Sequence, residues 1–409
     1  MISVAEALAH ITDTFSPLKA EDVALNECLG RVLANDLASK VSHPPKAVSS
    51  MDGYAVRAAD TGQTPHDLKL IGESQAGGGF DGIVGAGETV RIFTGAPLPE
   101  GADAVVMQEN TEPATGGRVR MLQGVPEGKF IRPAGMDFST GDVLLNGGTV
   151  LNARHIGLAA AMNAPRLMVR RKPRVAILAT GDEVVMPGQP MGPSQIVSSN
   201  SFLLAALVRA LGGEPVDLGI AGDTIEKLKS AMEKAIGCDL MITIGGASVG
   251  DYDLVGTALN DLGLRQIFYK IAMRPGKPLL FGVLEGRFNG MAVLAMPGNP
   301  VSTGVCSVLF LKPALQTMLG QPETAVNTAT ARLGQALPEN DQRQEYLRAS
   351  IAAGKDGEMI ATPLGKQDSA MLARFSQADC LIIRAPFAKP AKSGDIVQIL
   401  PLNGSNISI

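Results

Sequence analysis

Apolar and polar positions change rhythm several times along the chain, and each change predicts a different kind of unit. Val4, Leu8 and Ile11 recur at helical spacing, and Val23, Leu25, Leu29 and Val32 follow it more loosely, so residues 1 to 45 read as helical. His43-Pro44-Pro45 breaks that pattern. Over 46–138 short β-prone runs (Leu68–Ile71, Thr89–Phe93, Ala104–Met107, Arg118–Leu122) alternate with glycine-rich turns, which predicts a small all-β module. A helix over Asn152–Met162 and a strand over Arg166–Arg170 follow, then a linker, Arg170-Arg171-Lys172-Pro173. The β module therefore reads as an insertion, with 1–45 and 139–171 packing together as one helical, two-segment unit.

From 174 the rhythm is that of alternating strands and helices. Strands are expected at Val175–Ala179, Pro215–Leu218, Leu240–Ile244 and Met291–Ala295. Helices are expected at Ser201–Leu211, Thr224–Ile236 (with Asp223 as N-cap), Leu254–Leu262 and Val301–Leu319. This predicts a doubly wound, mostly parallel sheet over 172–322. After Pro322 the chain is β-prone again, at Tyr346–Ile351, Cys380–Arg384 and Ile396–Leu400, so 323–409 reads as a small barrel or sandwich. The fold class is α/β multidomain: a central doubly wound domain, an inserted β domain, a helical two-segment domain and a C-terminal β domain.

Composition narrows the partners. The chain has 409 residues, 45% of them hydrophobic, which suits several packed cores. Lys+Arg 36 against Asp+Glu 40 gives a net charge of -4, which argues against nucleic acid as the main partner. Cys28, Cys238, Cys306 and Cys380 are far apart and form no CxxC pair, and the histidines are scattered, so any metal is expected to be a hard cation on oxygen ligands. The start of the chain lacks a cationic stretch before an apolar core, and no apolar run is long enough to span a bilayer. A cytoplasmic protein without membrane contact is the expectation.

The candidate chemistry lies in short polar segments placed after apolar runs. They are Thr180-Gly181-Asp182-Glu183, Gly245-Gly246-Ala247-Ser248-Val249-Gly250-Asp251-Tyr252-Asp253, Arg274-Pro275-Gly276-Lys277-Pro278 and Pro297-Gly298-Asn299-Pro300-Val301-Ser302. Strand-end loops on one edge of an α/β sheet form a ligand crevice. Carboxylates and cations together suit a phosphate-bearing substrate held with a divalent metal. Pro297, Pro300 and Ser302 open a helix whose N-terminus is a natural anion site, or they form only a stiff turn with Ser302 as cap. Arg274 and Lys277 offer a planar fork and a point charge to an oxyanion, or a solvated turn. Gly246 and Ser248 sit in a loop that resembles a phosphate cradle but is not a dinucleotide fingerprint. Glu183, Asp223 and Asp253 could gather around Mg²⁺, although Asp223 is also a good N-cap. Outside this domain, Ser50 to Arg57 (with Asp52) and Ile92 to Pro97 (with Thr94) stand out, and the residues alone favour a structural role for each.

Six motifs in order over 49–302 resemble the molybdopterin molybdenumtransferase family, MoeA, which includes the E domain of gephyrin. They are Ser-x-Met-Asp-Gly-Tyr-Ala-Val-Arg at 49–57, Thr-Gly-Ala-Pro at 94–97 and the four segments above. The resemblance implies insertion of molybdate into adenylylated molybdopterin with Mg²⁺ and release of AMP. It implies an elongated homodimer with its cleft between the central and C-terminal domains of one subunit and the inserted β domain of the other. Asp52 and Thr94 would then act in trans, and Glu183, Asp223 and Asp253 would act with Mg²⁺ on the pyrophosphate. Arg274, Lys277, Pro297, Pro300 and Ser302 would shape the pterin phosphate and molybdate pocket, and Arg348 and Ser369 fall where the family places oxyanion contacts. Transient contact with the adenylyltransferase that supplies the substrate is a further implied partnership.

Arg274 stands where the family usually has Lys, which changes a point donor to a fork. Two other readings stay open. An adenylyltransferase shares the central fold but not the inserted domain with Asp52 and Thr94. A receptor scaffold, as in gephyrin, needs no intact carboxylate set.

Overall fold

The structure, a computed structural model, describes residues 1–246, 254–322, 327–354 and 356–402. Six strands form the central sheet, in the order Glu214–Ala221, Arg174–Thr180, Leu240–Ile244, Met291–Met296, Leu280–Leu284 and Leu264–Tyr269. The first four are mutually parallel, the fifth runs antiparallel to them, and the sixth pairs antiparallel with the fifth at the edge. The inner parallel strands are buried almost throughout, because helices cover both faces. Alternate residues serve alternate faces. Val175 and Ile177 join Leu204, Leu207 and Val208 of the helix Asn200–Ala210. Ala176 and Leu178 join Leu228 and Met232 of the helix Ile225–Glu233 on the other side.

The long helix after the last parallel strand begins at Pro300. It runs as Pro300–Cys306, widens into a π-helical stretch at Ser307–Leu311, and resumes as Lys312–Met318. The wider turn lies where Pro313 can give no N–H to the Leu309 carbonyl, so it relieves a clash that a regular helix would suffer.

The first expected helix is shorter than its pattern. It spans Val4–Thr14, opened by a capping box between Ser3 and Glu6. Its Val4, Ala7 and Ile11 pack with Leu207, Phe281 and Leu315, so it lies against the central sheet. Beyond it the chain turns to strand. Ala20–Ala24 pairs antiparallel with Arg166–Arg170, and Leu37–Ala38 with Val143–Leu145. Val23, Leu25, Cys28 and Leu33 fill a small core with Leu145, Leu151, Leu167 and Val169, while Leu29 is exposed, so the spacing does not mark one helix face. The two-segment unit is therefore built on strand pairing, with the helix Ala153–Ala161 alongside.

The inserted sheet has six strands, ordered Ala104–Met107, Gly53–Val56, Glu88–Ile92, His66–Ser74, Arg118–Met121 and Thr111–Ala114, with a small apolar core on each face. The C-terminal strands close on themselves, because Gln344–Ala353 pairs with both Met359–Pro363 and Cys380–Arg384. A short central-domain strand, Met273–Arg274, also pairs with Gln344–Ala353. Among the described residues, no helix is long and apolar enough to cross a membrane.

Candidate active site

Three parallel strands deliver their C-terminal ends to one edge of the central sheet. Thr180 ends the first strand, and its hydroxyl donates to the Ile244 carbonyl of its neighbour at 3.1 Å. Gly245 and Gly246 end that neighbour at φ +89° and +67°, a backbone that side chains rarely adopt. A Cβ on Gly246 would lie 2.2 Å from Val255, so the loop needs a glycine for space as well. Gly298 follows the third strand, and a Cβ there would sit 3.6 Å from Gly245 Cα. The crevice floor is thus bare backbone from adjoining loops. Ser248 and Asp253 lie outside the described residues.

The acidic side of the crevice joins two loops. Asp182 N–H donates to Asp223 Oδ2 at 3.2 Å, and Asp223 N–H donates to Asp182 Oδ1 at 3.3 Å. Each loop thereby holds the other's carboxylate in place. Asp223 is not the helix cap that its position suggests. Thr224 is the N-cap, its hydroxyl accepting from Lys227 N–H, so the Asp223 carboxylate is released from that task. Glu183 is exposed and folds back over Gly181, where a Cβ would meet its carboxylate at 2.4 Å. Among the described residues, no three His, Cys, Asp or Glu side chains gather closely enough to hold a metal alone. That donor set still fits Mg²⁺, which usually takes one or two carboxylates, substrate phosphate oxygens and waters.

The opposite side is the helix end at Pro300. Pro300 has no N–H, and Val301 N–H donates to the Ser369 carbonyl at 3.0 Å. Ser302 is 4% exposed, and neither its N–H nor its hydroxyl has a partner among the described residues. It is not a cap; Asn299 holds that position and donates from Nδ2 to Ser369 Oγ at 3.0 Å. The unspent donors of Ser302 at a positive helix end have the chemistry that holds an anion. Pro297 contributes its carbonyl to Thr303 Oγ1 at 2.7 Å, which fixes the turn.

The cationic loop packs on the same helix. Gly276 has φ +106°, and a Cβ there would lie 2.7 Å from Cys306 Sγ. Lys277 is exposed and has no ion-pair partner among the described residues. Arg274 differs. Its fork pairs with Asp341 at 3.4 Å and with Glu345, both from the C-terminal domain. A Lys point charge could not address two carboxylates with a planar fork. Beside it is a cavity of about 280 Å³ lined by Arg274, Glu345, Gln367 and Arg384.

Arg348 is 1% exposed and gives three of its five guanidinium N–H groups to one loop. It donates to Gln367 Oε1, Met371 O and Lys366 O, each at 3.2 Å. Burial holds its pKa below the ordinary arginine value. It therefore anchors the segment that brings Ser369 to the Pro300 helix.

Asp52 and Thr94 meet each other on the inserted sheet. Asp52 Oδ1 accepts from both the N–H and the hydroxyl of Thr94, each at 2.7 Å. Those two bonds, aided by the charge of Arg91, hold the Asp52 carboxyl below its usual range. No hydrogen bond or ion pair among the described residues joins either one to the central loops. No motif in the sequence singles out Arg91. It lies opposite Tyr54 in register, 5.0 Å from that ring and 5.1 Å from Phe93, and donates to Gln108 at 2.6 Å. Its signal is the polar position between buried Val90 and Ile92.

Matches to known families cover most of the chain. Residues 2–163 match the model described as MoeA N-terminal region (domain I and II), 176–317 match a probable molybdopterin binding domain, and 330–402 match MoeA C-terminal region (domain IV). Molybdopterin molybdenumtransferase of Haemophilus influenzae is 33% identical, with 95% of each chain covered. The Bacillus subtilis protein of that name is 33% identical over 99% of this chain and 95% of its own. The chain belongs to the molybdopterin molybdenumtransferase family. A Pyrococcus horikosii molybdopterin biosynthesis MoeA protein superposes with a TM-score of 0.87 at 31% identity, over 99% of this chain and all of that one. The family places this enzyme in molybdenum cofactor biosynthesis, and its architecture is the one described above.

Proposed function

We propose that this enzyme inserts molybdate into adenylylated molybdopterin, with Mg²⁺-dependent release of AMP. The observation that carries this reading is the opposition of two kinds of group across one glycine-floored crevice. In strand order, the loops of Asp223 and of Asp182 and Glu183 end the first two strands, Gly245 and Gly246 the next, and the Pro300 helix end with Ser302 follows the fourth, with the Lys277 loop packed on that helix. Molybdate is an oxyanion and finds donors at the helix end. The pyrophosphate link finds carboxylates that would hold Mg²⁺, with Glu183 and Asp223 as ligands and Asp253 as a third. When bound, that ion would polarise the phosphoryl oxygens.

The chain's own residues then have distinct tasks. Gly245, Gly246 and Gly298 let the substrate approach backbone. Lys277 and Ser302 orient the oxyanion beside the dithiolate. Ser369 braces the helix end through Asn299 and Val301. Asp52, ionised and held by Thr94, would close the site with it from the other subunit of a homodimer. Transient contact with an adenylyltransferase would hand over the substrate, and the cytoplasm is the proposed setting.

AMP release by the purified enzyme tests this, with adenylylated molybdopterin and Mg²⁺, with and without molybdate. Molybdate-stimulated release is expected, with the product activating an apo-molybdoenzyme. A folded protein that binds this substrate but releases no AMP would sink the proposal.

A further inference from the structure

Asn200 opens the helix Asn200–Ala210 and is 8% exposed. Its Nδ2 donates to the Gly298 carbonyl at 2.7 Å, while its Oδ1 is buried with no partner among the described residues. That contact fixes the amide's orientation. A carbonyl oxygen can only accept, so the NH₂ end must face Gly298. The two ends of one planar amide are never far apart, so Oδ1 lies at the same turn. A buried acceptor left unpaired costs about 1–3 kcal/mol, which a bound donor would recover.

Asn200 also sits where the crevice segments converge. Gly298 adjoins Gly245 across the strand ends. The segment before Asn200 is tied to the acidic loop, with Ile196 N–H donating to the Glu183 carbonyl and Ser198 N–H to the Val185 carbonyl, both at 2.8 Å.

We propose that Asn200 Oδ1 accepts an N–H from the heterocycle of the substrate, an inference that rests on the molybdenumtransferase reading. Molybdate and ionised phosphate oxygens accept rather than donate, so neither satisfies Oδ1. The amine and ring N–H groups of a fused heterocycle do. The substrate carries two such heterocycles, a pterin and an adenine. Asn200 thereby sets which end of the substrate enters beside Gly298, and the acceptor disfavours an oxyanion at that point.

The test is calorimetric titration, under anaerobic conditions, of the wild-type enzyme and Asn200→Ala with three probes separately: molybdopterin, AMP and molybdate. One heterocyclic probe should bind about tenfold more weakly to the variant, as for one net hydrogen bond, while molybdate affinity is unchanged. The probe affected identifies the heterocycle. Equal loss for all three probes would reduce Asn200 to a support of the Gly298 turn and overturn the proposal, as would unchanged affinities. A wild-type enzyme that binds none of the three would instead overturn the functional reading beneath it. A ligand-side comparison needs no variant. The wild-type enzyme should lose a similar factor when AMP is replaced by its dimethylamino analogue, or pterin by a dimethyl-lumazine. Equal binding in both pairs contradicts the assignment.

Discussion

Replacing Arg348 by Met keeps much of the side-chain length and removes the guanidinium. The Lys366 and Met371 carbonyls, each 3.2 Å from a guanidinium nitrogen, would be left without that donor, and Gln367 Oε1 would keep only the backbone N–H of residue 348. Hydrogen bonds to charged groups contribute about 1.5–3 kcal/mol each. Three of them exceed the net effect, because burial already disfavours the charged side chain and a buried thioether restores apolar contact. A net local loss of about 3 kcal/mol is expected, which is roughly a hundredfold in the opening equilibrium of the loop. A melting curve is the wrong readout, since a chain with several cores need not unfold in one step. Hydrogen exchange of 364–371 is the right one, together with the Val301 amide, which donates to Ser369 at 3.0 Å. Both should exchange about a hundred times faster, and the inserted sheet should not change. Exchange within about threefold of wild type would refute the claim that Arg348 holds this loop.

Gly53→Ala should disrupt the inserted sheet, since its Cβ would lie 2.0 Å from the Val106 carbonyl oxygen in the neighbouring strand. A loss on the order of 2–3 kcal/mol is expected by calorimetry, and an unchanged thermogram would show that the strands can part freely. The Asp341 carboxyl is lowered from 3.8 to about 2, chiefly by the side-chain and backbone bonds of Arg343. Its folded value lies below its unfolded one, so its stabilising contribution is complete above about pH 4 and is lost as pH falls through about 2. Carboxyl NMR should place the midpoint in that lower range in the wild type and raise it toward 3.8 in Arg343→Met, which keeps the backbone N–H bond to Asp341; a wild-type midpoint near 3.8 would contradict the ion-pair geometry.

The buried parallel strands were the easiest features to infer from sequence. Leu240–Ile244 is a continuous apolar run in a central position, and only burial on both faces produces that pattern. The antiparallel edge strands Leu264–Tyr269 and Leu280–Leu284 escaped, because they flank the cationic loop and the first of them is only partly buried. The loose apolar spacing of Val23, Leu25 and Leu29 fits a helix on paper. It was overridden by the pairing of Ala20–Ala24, which holds Val23, with Arg166–Arg170, a contact too distant in sequence for a local pattern to report; Leu25 turns the chain and Leu29 is exposed. Asp223 and Thr224 are both good caps, and the choice between them depends on where the helix axis begins. That the candidate residues lie in loops after strands was legible, because glycines and prolines after strands mark loop geometry directly. What Arg348 and Asn200 do was not legible, since burial and partner choice are properties of the folded chain.

Met273 and Arg274 lie in register with Gln344 and Glu345, so two modules that look separable in the sequence share main-chain bonds. This limits how the protein can be cut or recombined. A fragment ending near Pro322 would keep Met273–Arg274 as a bare sheet edge, and Arg274 would lose both Asp341 and Glu345. Such an edge is a template for joining another chain. A chimera that exchanges the C-terminal barrel between relatives would need its junctions around 273–274 as well as 322, carrying a short piece of the central fold with the transplanted module.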